Sequence, residues 1–185
     1  MGSSLLLWTT LAVLLFWGVG LYNRLMRMQA RAFGALGSVE KHLREYVELT
    51  RAHSMTAQSE SGYSTLVVWH ESVPHWTLLL AELEALDLAL KDVRQKPLGI
   101  EPLARLRESI TSLQRVWEGL LTLPGDLAGP ALPEDLHTGW TAITHRMETS
   151  RNGYNQIVQQ YNESLAQFPA RLIVGLMGVK PGGLL

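Results

Sequence analysis

Six histidines and a scatter of carboxylates are the residues with which this chain could do acid–base or metal chemistry. His70-Glu71 and His75 come nearest to a zinc pattern, but the two rings are five residues apart with Pro74 between them. The H-E-x-x-H spacing of four, which puts both rings on one helical face, is not met. His42 has Glu45 one turn on, as a solvated helix flank does, and Glu82, Glu84, Asp87 and Asp92 fall between the apolar positions of their segment. Gly18-Val-Gly20 lies inside an apolar run with no strand before it, so it is no dinucleotide loop. The absence of cysteine removes thiolate metal sites and thiol catalysis. Trp69, Trp76, Trp117 and Trp140 could line a cofactor cage, yet each falls on a heptad position, where core packing is the simpler role. No catalytic, cofactor-binding or metal-ligating set is therefore expected, and no enzymatic activity.

A second set is aromatic and amidic. Tyr22-Asn23 is followed by Arg24 and Arg27; Tyr154-Asn155 and Tyr161-Asn162 repeat seven residues apart; Phe168-Pro169 and Lys180-Pro181 follow. Seven residues are two helical turns, so both tyrosines take seam positions, where a ring packs and a hydroxyl needs a partner. Both asparagines then lie on the flank of that seam. Two roles are open: core tyrosines with register-setting amides that hold the last helix against the first, or a partner or lipid-headgroup surface beside a membrane.

The elements that must position these residues begin with an anchor. Met1 to Asn23 carries no charged side chain, and Leu5 to Leu21 is apolar but for two Thr and two Gly. About 20 helical residues cover the roughly 30 Å hydrocarbon core. The MGSS start lacks the basic residues of a signal peptide and no A-x-A-like site follows, which favours a retained anchor over 1–23. Arg24, Arg27 and Arg31 precede the first acid, Glu40, so the positive-inside rule predicts an outside N-terminus and a cytoplasmic body.

The body, 24–169, reads as heptad helices. The first seam is Leu21, Leu25, Met28, Ala32, Ala35, Val39, Leu43, Tyr46 and Leu49, running unbroken from the bilayer to about Thr50 or beyond, with a turn or frayed connection over Ser54–Ser64. The second is Trp69, Trp76, Leu79, Leu83, Leu86, Leu90 and Val93, kinked or restarted at Pro74 and ended by Pro97-Leu-Gly99. The third is Leu103, Leu106, Ile110, Leu113, Trp117 and Leu120, stopped by Pro124-Gly125. After a proline-rich loop, the fourth opens on Glu134 and Asp135 and runs Leu136, Trp140, Ile143, Met147, Ser150, Tyr154, Ile157, Tyr161, Leu165, Phe168. The fold predicted is all-α: one transmembrane helix continuing into an elongated, antiparallel up-down bundle of four helices. The segment 170–185 is an apolar tail that either lies in the membrane interface or packs against the bundle end.

With these elements placed, Tyr22-Asn-Arg-Leu-Met-Arg-Met28 behind a membrane helix, the stretch Arg151 to Pro169 with its two Tyr-Asn pairs, and Gly178-Val-Lys-Pro181 together resemble the LemA family. Residues 39–50 do not carry the Leu-Ile-Pro-Asn-Leu-Val stretch that the family usually shows, which makes the chain a divergent member. The resemblance implies a helical bundle on a bacterial inner-membrane anchor, without established enzymatic activity and implicated in membrane organisation. The residues and the resemblance together predict a membrane-associated scaffold with partners in the lipid bilayer, an unidentified protein or a second copy of itself. A net charge of −1, from 16 basic and 17 acidic residues, argues against nucleic acid. The alternative is a membrane-tethered sensor whose bundle opens at Gly34, Gly37, Pro74 or Gly153 to take a lipid or small hydrophobic ligand.

Overall fold

The computed structural model describes residues 2–60, 69–122, 132–167 and 178–185, with side chains for 6–53, 75–122, 132–167 and 178–185. The chain is all-α: α1 (Gly2–Glu60), α2 (Trp69–Gln95), α3 (Ile100–Leu121) and α4 (Glu134–Ala166). Helix α1 from about Leu25 onward pairs with α4, α2 pairs with α3, and the two pairs share one core.

Helix α1 has 59 residues, which at 1.5 Å each is about 88 Å. It passes through Gly34 and Gly37 without a break and continues over Ser54–Glu60, where the sequence pointed to a turn or a frayed connection. Small polar residues lower helix propensity by only tenths of a kcal/mol each, too little to end a helix already propagating. Helix α2 likewise runs through Pro74 as one element. Proline six residues into a helix removes one early hydrogen bond, and the turns beyond it are retained here. Pro102 stands in the first turn of α3, where the missing N–H has no helical partner to lose.

The seam of α3 is buried as its spacing predicts, from Leu103 to Leu120. On α2, Leu79, Leu83, Leu86, Leu90 and Val93 are buried and Trp76 packs against them in part, while the Trp69 side chain lies outside the described residues. On α1, Leu36 and Thr50 join the buried set, while Leu21, Met28, Ala35 and Leu49 stay partly exposed. On α4, Val158 is fully buried where the heptad reading placed Ile157, and Ser150 is only half-buried. Phe168, the last seam position, lies outside the described residues.

Near the start of α4 and the end of α3 the helices are locked by aromatic rings. Trp117 of α3 stacks on Trp140 of α4 with centroids 4.0 Å apart and planes 7° from parallel, and Tyr46 of α1 tilts against Trp140 at 4.4 Å. The Tyr46 hydroxyl donates to Thr144 Oγ1 at 2.8 Å, and burial pushes its pKa up to about 12, so it remains a neutral donor. Beyond this layer α1 is fastened to the start of α4. His53 Nδ1 lies 2.9 Å from the Leu49 carbonyl and Nε2 lies 2.9 Å from Asp135 Oδ2. Both ring nitrogens face acceptors, so only the imidazolium makes both bonds.

Burial lowers the His53 pKa, but the Leu49 carbonyl and the Asp135 carboxylate together outweigh it and hold the value above the ordinary one. The hydrogen bond from His53 holds Asp135 below its usual 3.8. A raised histidine stabilises the fold fully below about pH 6.5 and ceases to as pH rises through the raised value. A lowered aspartate stabilises above its ordinary pKa and ceases to on acidification, so the clasp works between the two. The stability difference between the natural chain and His53→Gln is expected to be largest near pH 5 to 6 and to shrink by pH 8, as thermal melts across that range would show. A difference that does not change with pH would contradict the doubly bonded imidazolium.

Candidate functional site

The Tyr-Asn repeat of α4 holds the chain's own tail. Tyr154 donates to the Gly183 carbonyl at 2.9 Å and Tyr161 to the Lys180 carbonyl at 3.0 Å. Asn162 pairs with the backbone of Gly182 in both directions, Nδ2 to its carbonyl at 2.9 Å and Oδ1 from its N–H at 2.8 Å. Asn155 treats Leu185 the same way, at 2.8 and 2.9 Å. An asparagine amide carries one acceptor and two donors, so it can stand in for a neighbouring strand's peptide group.

The spacing explains the repeat. Seven helical residues rise about 10.5 Å, and three residues of extended chain cover about 10 Å. Tyr154 and Tyr161 accordingly meet carbonyls three residues apart, and Asn155 and Asn162 meet peptide groups three residues apart. Contacts on Lys180 and Gly182 at the Tyr161 level, and on Gly183 and Leu185 at the Tyr154 level, make the tail antiparallel to α4. The heptad on the helix is thus a ruler for an extended backbone.

The far side of the tail leans on the turn between α2 and α3. The Gly183 N–H donates to the Leu98 carbonyl at 3.1 Å. A Cβ on Gly183 would stand 2.8 Å from Ile100 Cα, and one on Gly182 would stand 3.0 Å from Val158 Cγ1, so close approach requires the glycine at 183 and favours the one at 182. Gly178, at φ 64°, takes the left-handed conformation that glycine favours as the chain enters the tail. Leu185 is buried within the main core, at 7% exposure. Val158 is buried because the tail covers it, which is why burial on α4 departs from the helical seam.

Below the tail, Leu25 of α1 packs with Tyr161 and Leu165, and Leu21, Met28, Leu98 and Val179 close around them. Gln29 Nε2 donates to the Tyr161 hydroxyl at 3.0 Å, so this tyrosine links α1, α4 and the tail. Burial raises the pKa of Tyr154 and, partly offset by Gln29, that of Tyr161, which keeps both as neutral donors.

The residues expected to form a membrane-proximal surface therefore divide. Tyr154, Asn155, Tyr161, Asn162 and the backbone of Lys180 come together, with Pro181 exposed beside them. The amides bond the tail, and Tyr161 bonds both the tail and Gln29; of the two roles left open, amides that hold α4 to α1 are not what the structure shows. Tyr22, Asn23, Arg24 and Arg27 are exposed, and α1 meets Tyr161 through Leu25 and Gln29 instead. Phe168 and Pro169 lie outside the described residues. Sequence reasoning missed Gln29, Gly182 and Gly183; the adjacent glycines were a visible sign of close backbone approach.

Elsewhere the polar groups tie helices together. Arg94 of α2 and Arg44 both donate to the Glu40 carboxylate. Glu45 accepts from Arg146 of α4 at 2.8 Å and lies 3.2 Å from His42. Arg146, more than His42, holds the Glu45 carboxyl below its ordinary pKa. Among the described residues no group of three His, Asp or Glu is placed to hold a metal ion. Among them one helix, α1, is long and apolar enough to cross a membrane; its apolar window has a mean hydropathy of 1.5 and no part of it is buried in the protein.

A helical bundle on one candidate membrane-spanning helix, closed at that end by a clamped tail, is the class of protein these features define. The LemA family model matches residues 126–185, which carry α4 and the tail. No curated protein and no solved structure matches the chain.

Replacing Asn162 by Leu removes both bonds to Gly182 at similar side-chain volume. It is expected to cost about 1–3 kcal/mol, one to two net hydrogen bonds and a partly unpaired peptide, in chemical denaturation. It should also open the tail to a protease that cuts beside leucine. Gly183→Ala should do the same by steric contact, and an unchanged cleavage rate in both variants would contradict the clamp.

Proposed function

We propose that this chain is a non-enzymatic scaffold of the bacterial inner membrane, tethered by the first part of α1 and presenting its bundle in the cytoplasm. The observation that carries the scaffold reading is how the polar side chains are used. Tyr154, Asn155, Tyr161 and Asn162 serve the chain's own backbone, and Glu40, Glu45 and His53 tie one helix to another. A bundle so cross-tied is built to hold a long shape above a surface.

The tether is supported by the exposed apolar side chains of α1, among them Leu6 at 71% and Phe16 at 84% exposure, which water would not tolerate in a row. Trp8 and Trp17 sit near the two ends of that stretch, as interfacial aromatics do. Arg24, Arg27 and Arg31 lie together on an exposed face just beyond it, where anionic headgroups and the positive-inside bias would hold them on the cytoplasmic side. With α1 rising from the bilayer, α4 descends to it, so the clamp around Tyr161 stands close above the lipid.

Single cysteines at Ser3 and Ser112 in this Cys-free chain test the arrangement. The Ser112 thiol is expected to resist a membrane-impermeant reagent in intact cells and to react once they are opened, with the protein in the membrane fraction. Ready labelling in intact cells, with outer-membrane access controlled, would place the bundle on the other side. Turnover by residues 24–185 that a point substitution abolishes would overturn the scaffold.

A further inference from the structure

We propose that the tail cleft is also an interaction site between copies: Lys180–Leu185 of one chain seats in the cleft of a neighbour on the same membrane. The inference rests on the tether, which puts the clefts of neighbouring copies at one height above the bilayer.

Recognition in the cleft falls on the backbone of the tail and on its small residues. Asn155 and Asn162 read peptide groups, and the tyrosines read carbonyls. The contact with Ile100 Cα demands glycine at 183, the contact with Val158 favours it at 182, and a leucine must fill the core pocket that Leu185 occupies. The segment with that complementarity is the chain's own Lys-Pro-Gly-Gly-Leu-Leu, and every copy carries it.

Exchange between copies preserves each of these contacts, so the bound states in cis and in trans have the same contact energy. Only effective concentration separates them. In cis, ten residues, 168–177, connect Gln167 to the tail. That short connection gives the cis state the higher effective concentration. It can also reach at most about 36 Å, several of the 8–10 Å distances between packed helix axes, so the cleft of an abutting neighbour is within range. Confinement to a membrane raises the local concentration of neighbours, and the exchanged fraction grows with their density.

The test uses the absence of cysteine. A Cβ at position 182 lies 3.8 Å from Leu98 Cβ, the separation typical of a disulfide. Leu98→Cys and Gly182→Cys in one full-length chain should form a bond within the monomer on mild oxidation. Each substitution is then placed in a separately tagged chain and the two are co-expressed. A disulfide-linked heterodimer, a minority at low expression and at least several-fold more abundant at high expression, is the expected result. An intrachain bond in the double variant with no heterodimer at any expression level overturns the proposal, as does capture of the Leu98 thiol by a different protein.

A second readout needs no cysteine and covers the case in which these variants fold poorly. Amine cross-linking of the natural chain in its own membranes should yield dimers that disappear when residues 178–185 are deleted. Dimers that survive the deletion, or none, overturn the exchange. Fractionation of the same samples separates the two failures: chains still in the membrane without dimers defeat the exchange alone, and chains in the soluble fraction defeat the tether.

Discussion

The end of the bundle nearest the apolar stretch of α1 depends on two asparagine side chains that imitate a peptide backbone. The turn at Leu98 ends the α2–α3 pair, while α1 and α4 continue as two helices toward the apolar stretch. Two helices bury one face each and leave their flanks wet. A segment of extended chain fills the space under the turn, but an extended segment brings peptide N–H and carbonyl groups into a half-buried place and must have them paired. Asn155 and Asn162 supply both halves of that pairing, and Tyr154 and Tyr161 take further carbonyls. Without the amides the tail would carry unpaired groups into the core and would not stay.

That constraint fixes neighbouring choices. Because helix and extended chain rise at different rates, the clamp repeats every seven residues on α4 and every three on the tail. Glycine is required where the tail passes Ile100 and favoured where it passes Val158. Gln29 of α1 completes the Tyr161 hydroxyl, so the tail is coupled to the helix that carries the candidate membrane span. Movement at either would be felt at the other.

The helical part of this was legible in the sequence. Leu103 to Leu120 and Leu79 to Val93 form seams that only a helix would bury, and prolines and glycines marked the ends of α3. The failures share a cause. A heptad seam records helix-on-helix contact, so burial caused by an irregular segment leaves no period: Val158 read as a flank residue because what covers it is not a helix. The Tyr-Asn repeat was visible, but its spacing equally suits register-setting amides, and nothing local to α4 says that its ligand lies some twenty to thirty residues on. Polar composition suggested a turn or frayed connection from Ser54, and proline suggested a kink or restart at Pro74; in both places one continuous helix absorbs the local cost. The family match beginning at residue 126 fits the same division, since α4 and the tail carry the motif residues that act together.

Hydrogen exchange at the tail amides tests the clamp most directly, because those protons are the ones the asparagines hold. In the full chain the N–H groups of Gly182 and Leu185 should exchange orders of magnitude more slowly than in an unstructured peptide of the same sequence. In Asn155→Leu and Asn162→Leu chains that protection should be lost while the amides of α3 keep theirs. Tail amides that exchange at the peptide rate in the natural chain, or that remain protected in both variants, would contradict the account.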